Sequence, residues 1–168
     1  SRRTLPLLAL LAAASLAPLG PTRARAQDLT DARRMSIAES LSTSTVSVLI
    51  GNGSGSGFVA TSEGWVVTNA HVVQGSRGVA RVRLGNGQML PARVLAVDPA
   101  HDLAVLEPQG PMPAPLTLGD ADTVRVGQTV LAFGSPYGLD GTLTQGIVSA
   151  RRDLPTGRGG QMEGVIQT

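Results

Sequence analysis

Val79-Ala80-Arg81-Val82-Arg83-Leu84-Gly85-Asn86-Gly87-Gln88-Met89-Leu90-Pro91-Ala92-Arg93-Val94-Leu95-Ala96-Val97 is the stretch that decides the fold class. Two strand-type runs, Val79–Leu84 and Met89–Val97, flank Gly85-Asn86-Gly87. An Asn-Gly step between two such runs suits a tight turn that needs positive φ, so the stretch reads as a β-hairpin.

The same texture continues on both sides. Upstream, Thr45–Ile50 is β-branched and apolar, Gly51 to Gly57 reads as a turn, and Phe58–Ala60 resumes a strand. Ser62-Glu63-Gly64 is a second turn before Trp65-Val66-Val67-Thr68. Downstream come Leu103–Leu106, a proline-rich connector from Pro108 to Pro115, and then Thr129–Phe133, Leu143–Arg151 and Glu163–Gln167. Short strands at regular spacing, with 21 Gly and 11 Pro in 168 residues, predict an all-β barrel or sandwich. Residues 27–44 carry Leu29, Ile37 and Leu41 among charges and read as a polar leader or short helix.

The first 26 residues read as an address. Arg2-Arg3 precedes an apolar run from Leu7 to Leu16, and Ala24-Arg25-Ala26 supplies a small-residue cleavage pattern. The run is shorter than the roughly 20 residues a spanning helix needs. An uncleaved anchor is the competing reading, and the arginine pair fits either a twin-arginine export signal or an ordinary basic start. The chain does not begin with Met, which reads as a missing true start.

All 14 basic side chains are Arg, and four of them lie in the first 25 positions. Without that segment ten Arg face twelve acids, a net charge of −2. The high pI therefore leaves no electrostatic footprint for nucleic acid or an anionic membrane. Charged residues make up 15% and apolar residues 42%, enough for a packed core and unlike a disordered chain. There is no Cys, which excludes disulfides and thiolate metal sites.

There are two histidines. His71 follows the strand at Val66–Thr68, and His101 precedes Asp102 at the mouth of the strand Leu103–Leu106. A serine hydroxyl is a poor nucleophile near neutral pH and needs a base to take its proton. Imidazole suits that task, and a carboxylate that accepts its Nδ1 proton fixes the tautomer. Taken singly, each residue has a bland reading as a packed or surface His or as a turn Asp. Asp98 competes with Asp102 for the carboxylate role.

Gly55-Ser56-Gly57-Phe58, Thr68-Asn69-Ala70-His71-Val72-Val73 and Asp102-Leu103-Ala104-Val105-Leu106 resemble the HtrA (Deg) type of trypsin-like serine proteases in order and spacing. So do Val126-Gly127-Gln128, Ala132-Phe133-Gly134-Ser135-Pro136-Tyr137-Gly138 and Thr144-Gln145-Gly146-Ile147-Val148-Ser149. The resemblance runs from about Val46 to Thr168. It implies two perpendicular six-stranded β-barrels with an active site in the cleft between them. By the same match His71 is the general base and Asp102 its orienting carboxylate, while Asp98 and Asp120 match nothing catalytic.

The resemblance also implies a nucleophilic Ser in an N-S-G-G-type turn, shortly after a strand ending Ile166-Gln167-Thr168. That turn, with its oxyanion-hole donors, is expected past Thr168, so the first barrel is expected to be complete (45–110) and the second incomplete (111–168, with the connector). An abrupt stop inside an apolar strand reads as an incomplete sequence rather than a natural truncation. Ser54, Ser56 and Ser135 lack the strand–turn–helix context of a nucleophile elbow.

Two function classes follow. One is a periplasmic or secreted serine endopeptidase acting on unfolded proteins or peptides, with no metal and no cofactor. The resemblance adds PDZ domains downstream and assembly as trimers or larger homo-oligomers. The other is a non-catalytic barrel that binds peptides or acts as a chaperone.

Overall fold

The computed structural model describes residues 30–134, 141–155 and 161–168. The segment read as a signal peptide, and Ser135, lie outside them. Helix α1 spans Asp31–Ser44 and is followed, among the described residues, by ten strands. Thr30 caps α1, its side-chain oxygen accepting from the Arg33 N–H at 3.2 Å.

Six strands form one closed antiparallel barrel: β1 (Thr45–Ile50), β2 (Gly53–Val59), β3 (Val66–Thr68), β4 (Val79–Arg83), β5 (Met89–Asp98) and β6 (Leu103–Pro108). Around the barrel the order is β1-β2-β3-β6-β5-β4, and β4 closes on β1 through Ser47↔Arg83, Val48↔Val82 and Leu49↔Arg81. Closure pairs both edges of the sheet and leaves no strand open to another chain.

The core follows from alternation. Val46 and Val48 on β1, Ala80 and Val82 on β4, Leu90 and Ala92 on β5, and Ala104 and Leu106 on β6 point inward and are buried. Val59 and Val66 complete the filling. Each such valine or leucine contributes about 1.5–3 kcal/mol by leaving water.

Three features depart from the sequence reading. The glycine-rich run expected as a turn enters β2 at Gly53, and its register runs unbroken from Ile50↔Gly53 to Thr45↔Phe58. Glycine is a poor strand former, but here space decides. A Cβ on Gly57 would lie 2.8 Å from Val66 Cγ1 and 3.0 Å from the Val67 carbonyl oxygen. The predicted Asn-Gly hairpin forms, but only Gly87 takes positive φ, at 85°. Its N–H bonds the Leu84 carbonyl at 2.9 Å, and Asn86 instead caps the turn by accepting from the Gln88 N–H. The single strand expected from Leu143 to Arg151 is two, broken at Val148-Ser149.

β5 carries a bulge. Its pairing with β6 shifts between Val94 and Ala96, so that Val94 faces Leu106 while Val97 faces Ala104.

After the barrel the connector returns along it. The Leu116 N–H bonds the Val59 carbonyl at 2.9 Å, and Ser44 Oγ donates to the Ala114 carbonyl at 2.7 Å. Then come two hairpins, β7 (Thr129–Gly134) with β8 (Thr142–Ile147) and β9 (Ala150–Pro155) with β10 (Gln161–Gln167). The buried Val148 exchanges both backbone bonds with the Gly127-Gln128 turn, and the Ser149 N–H bonds the Gln167 carbonyl at 2.7 Å. This second half is an open set of strands, not a closed barrel, among the described residues. α1 reaches it through Arg34, which donates to Gln145 Oε1 at 2.6 Å. The described residues are thus all-β apart from α1 and two single-turn 3₁₀ helices, with the first barrel complete and the second incomplete.

Candidate active site

β3 and β6 lie far apart in sequence but are neighbours in the barrel, paired Val66↔Leu106, Val67↔Val105 and Thr68↔Ala104. In an antiparallel ladder, the residues just after Thr68 must lie beside those just before Ala104. That register brings His71 and Asp102 to one end of the barrel. Their segments are fastened by the Ala70 N–H, which donates to the Asp102 carbonyl at 3.1 Å.

His71 sits on the single turn of 3₁₀ helix Ala70–Val73. The turn is anchored by Ala70 and Val73, both buried, and by Val72, which packs on the core. Opposite Val72, Gly55 provides the room: a Cβ there would come within 2.5 Å of Val72 Cγ2. The His71 side chain itself is 67% exposed.

Asp102 holds the left-handed backbone region, with φ at 53°. A side chain there costs about 1–2 kcal/mol, and Asp is one of the few residues that tolerate it. Besides the bond from the Ala70 N–H, four contacts hold the conformation. Asp102 Oδ1 accepts from the His71 N–H at 2.9 Å, and Oδ2 faces His71 Nδ1 at 2.8 Å. Asn69 Nδ2 donates to the Asp102 carbonyl at 3.1 Å and to Oδ2 at 3.2 Å. The His71 backbone N–H, and after it the His71 ring, hold the Asp102 carboxyl below the usual carboxylate range, against a small opposing effect of burial. The carboxylate is therefore ionised at neutral pH and has no proton to give. The proton in the 2.8 Å contact belongs to Nδ1, so in the neutral imidazole Nε2 is the acceptor nitrogen.

Asp98 does not meet His71. It turns back on its own loop: Oδ2 faces His101 Nδ1 at 2.6 Å, and Oδ1 accepts from the Ala100 N–H at 3.0 Å and the His101 N–H at 3.3 Å. The structure thus sorts the two histidines and two aspartates into separate pairs, His71 with Asp102 and His101 with Asp98. Asn69 was quoted in the sequence only as part of a motif. A polar residue two positions before a candidate base was the available signal.

A shallow depression of about 390 Å³ opens beside the pair, walled by Val73, Val97 and Pro99. A larger one of about 720 Å³, between the end of α1, the β4–β5 turn, the connector and β7, is lined by no His, Asp or Glu. Ser54 and Ser56 lie within β2, in register with Leu49 and Ser47. Among the described residues, no group of three or more His, Asp or Glu side chains is placed to hold a metal ion.

Comparison with known proteins gives a consistent picture. A family model described as "Trypsin-like peptidase domain" matches residues 55–168. A protein of Halomonas elongata named "Probable periplasmic serine endoprotease DegP-like" is 45% identical over 102 residues, covering 60% of this chain and 21% of that protein. "Serine protease HTRA2, mitochondrial" of Bos taurus is 52% identical over 97 residues, covering 57% and 21% respectively. A Chlamydia trachomatis protein with the same name as the first is 40% identical over 97 residues, 58% of this chain and 19% of its own. The matched region spans about a fifth of the length of each relative.

Proposed function

The chain belongs to the trypsin-like peptidase domain family, and on that premise we propose that it carries the His–Asp half of a serine endopeptidase, His71 as general base and Asp102 as its orienting carboxylate. The observation that supports this reading is the double hold of Asp102 on His71, through backbone N–H and ring Nδ1.

In this mechanism His71 Nε2 takes the proton of a serine hydroxyl as its oxygen attacks the scissile carbonyl. Asp102 stabilises the imidazolium that forms. His71 then returns the proton to the departing amine, leaving an acyl-serine ester. Water, deprotonated by the same Nε2, then attacks the ester carbonyl; the bond to the serine oxygen breaks, that oxygen takes the proton back from His71, and the carboxylic acid product leaves. The serine belongs to a turn following β10, with the backbone N–H groups that would stabilise the oxyanion. Substrates are unfolded proteins or peptides. The site of action is the periplasm, in keeping with the names of the bacterial relatives and with residues 1–26 as an export signal.

The test uses the protein extended past Thr168. Cleavage of an unfolded protein and covalent labelling by a serine-directed phosphonate are expected, both lost in His71→Ala. Retention of peptides with no cleavage and no labelling would instead establish a non-catalytic peptide-binding barrel.

A further inference from the structure

The turn joining β5 to β6 is closed by the pair Asp98↔Leu103, so Pro99, Ala100, His101 and Asp102 are its four loop residues. Four-residue hairpin loops are most often built around a type I turn. Pro99 suits the second position of such a turn because its ring presets φ. Asp98 stands at the first position, where a carboxylate can accept backbone N–H groups two and three residues on, and it does so at Ala100 and His101. The last loop residue, Asp102, enters β6 from the left-handed region.

We propose that Asp98 is a positioning residue: by fastening this turn it holds Asp102 in its left-handed conformation, with the carboxylate aimed at His71. The proposal rests on the reading of His71 and Asp102 as the catalytic pair, and it gives a task to an acid that the sequence offered only as a rival for Asp102. Three acceptor contacts converge on Asp98, and all three donors lie within the turn. The side chain is half exposed and its pair with His101 is exposed too, so little burial energy is at stake. The contacts act on backbone geometry. Without them the strained φ of Asp102 is held from one side only, by Asn69 and the segment after β3. The essential acceptor is Oδ1, which an asparagine reproduces. The ring of His101 is dispensable.

Nitrogen-15 NMR of the His71 ring in this chain reads the outcome without any chemistry. In the wild type the Nδ1–H tautomer is expected. Asp98→Ala should shift the ring toward the Nε2–H tautomer and move the Asp102 carboxyl titration up toward the usual range. Asp98→Asn and His101→Ala should leave both signals as in the wild type. In the protein extended past Thr168, Asp98→Ala should lower kcat about 10- to 100-fold with little change in KM, and Asp98→Asn should restore it. Should Asp98→Ala fail to fold, Asp98→Ser supplies a weaker acceptor at the same place, and partial loss of the signature is expected. An unchanged His71 tautomer in Asp98→Ala or Asp98→Ser overturns the positioning role while leaving the protease reading intact. A wild-type His71 without the Nδ1–H tautomer overturns both.

Discussion

Asp102 grips His71 at two points, its Oδ1 on the backbone N–H at 2.9 Å and its Oδ2 on the ring Nδ1 at 2.8 Å. One contact sets where the histidine's main chain lies, and the other sets which way its ring faces. An imidazole held in this way has a fixed position and a fixed ring orientation.

On the proposed mechanism, replacing His71 should abolish turnover with little effect on the fold. In the protein extended past Thr168, His71→Ala is expected to lower kcat by about 10⁴-fold or more. Its side chain is mostly exposed, so the urea midpoint should stay close to that of the wild type. Asp102→Asn should cost a comparable factor, about 10⁴-fold, because an amide lets the ring take the wrong tautomer. Steady-state hydrolysis of a peptide ester checks both.

Acid should weaken the fold through the two aspartates. Hydrogen bonds from His71 hold Asp102, and hydrogen bonds from His101 hold Asp98, below the usual carboxylate range. Unfolding frees both carboxylates to bind protons at higher pH, so the unfolded chain takes up more protons. Their contribution is full above the usual carboxylate range and is lost as pH falls through the depressed folded values. Urea unfolding between about pH 5 and about pH 2 should show a loss of stability in the wild type. The double variant Asp98→Asn with Asp102→Asn should show a shallower loss.

Gly55→Ala should damage the site more than the barrel. The new methyl collides with Val72, the residue directly after His71. Relief requires the 3₁₀ turn to shift, carrying His71 away from its position. Overpacking of this kind costs about 1–3 kcal/mol. The His71–Asp102 coupling, read by NMR, should be lost while the barrel's strand signals persist.

The barrel core can be tested apart from the site. Leu106 is fully buried and close to the point where the β5 register shifts. Leu106→Ala should cost about 2–5 kcal/mol in urea unfolding. Met35, at 71% exposed on α1, serves as the control. Met35→Ala should change stability by no more than about 0.5 kcal/mol.

Much of this was legible in the residues themselves. Thr45–Ile50 and Val79–Arg83 read as strands because β-branched and apolar residues dominate them. The glycine run before Phe58 misled, since local propensity sees flexibility where tertiary packing needs the absence of a side chain. The pairing of His71 with Asp102 rather than with Asp98 depends on the β3–β6 register, which no local window contains. Asn69 escaped notice for the same reason: its partner lies across that register.

The bulge at Leu95 makes the β5–β6 arm a counter of parity. One surplus residue already swaps which of its side chains look inward, and the turn bearing Asp102 sits downstream of that swap. Removal of Leu95 would erase the surplus and leave Val97 opposite Ala104 as before. Insertion of one residue would enlarge the bulge or slip the end of the strand, turning each later side chain to the other face. Shortening this arm by one residue is therefore expected to be better tolerated than lengthening it by one.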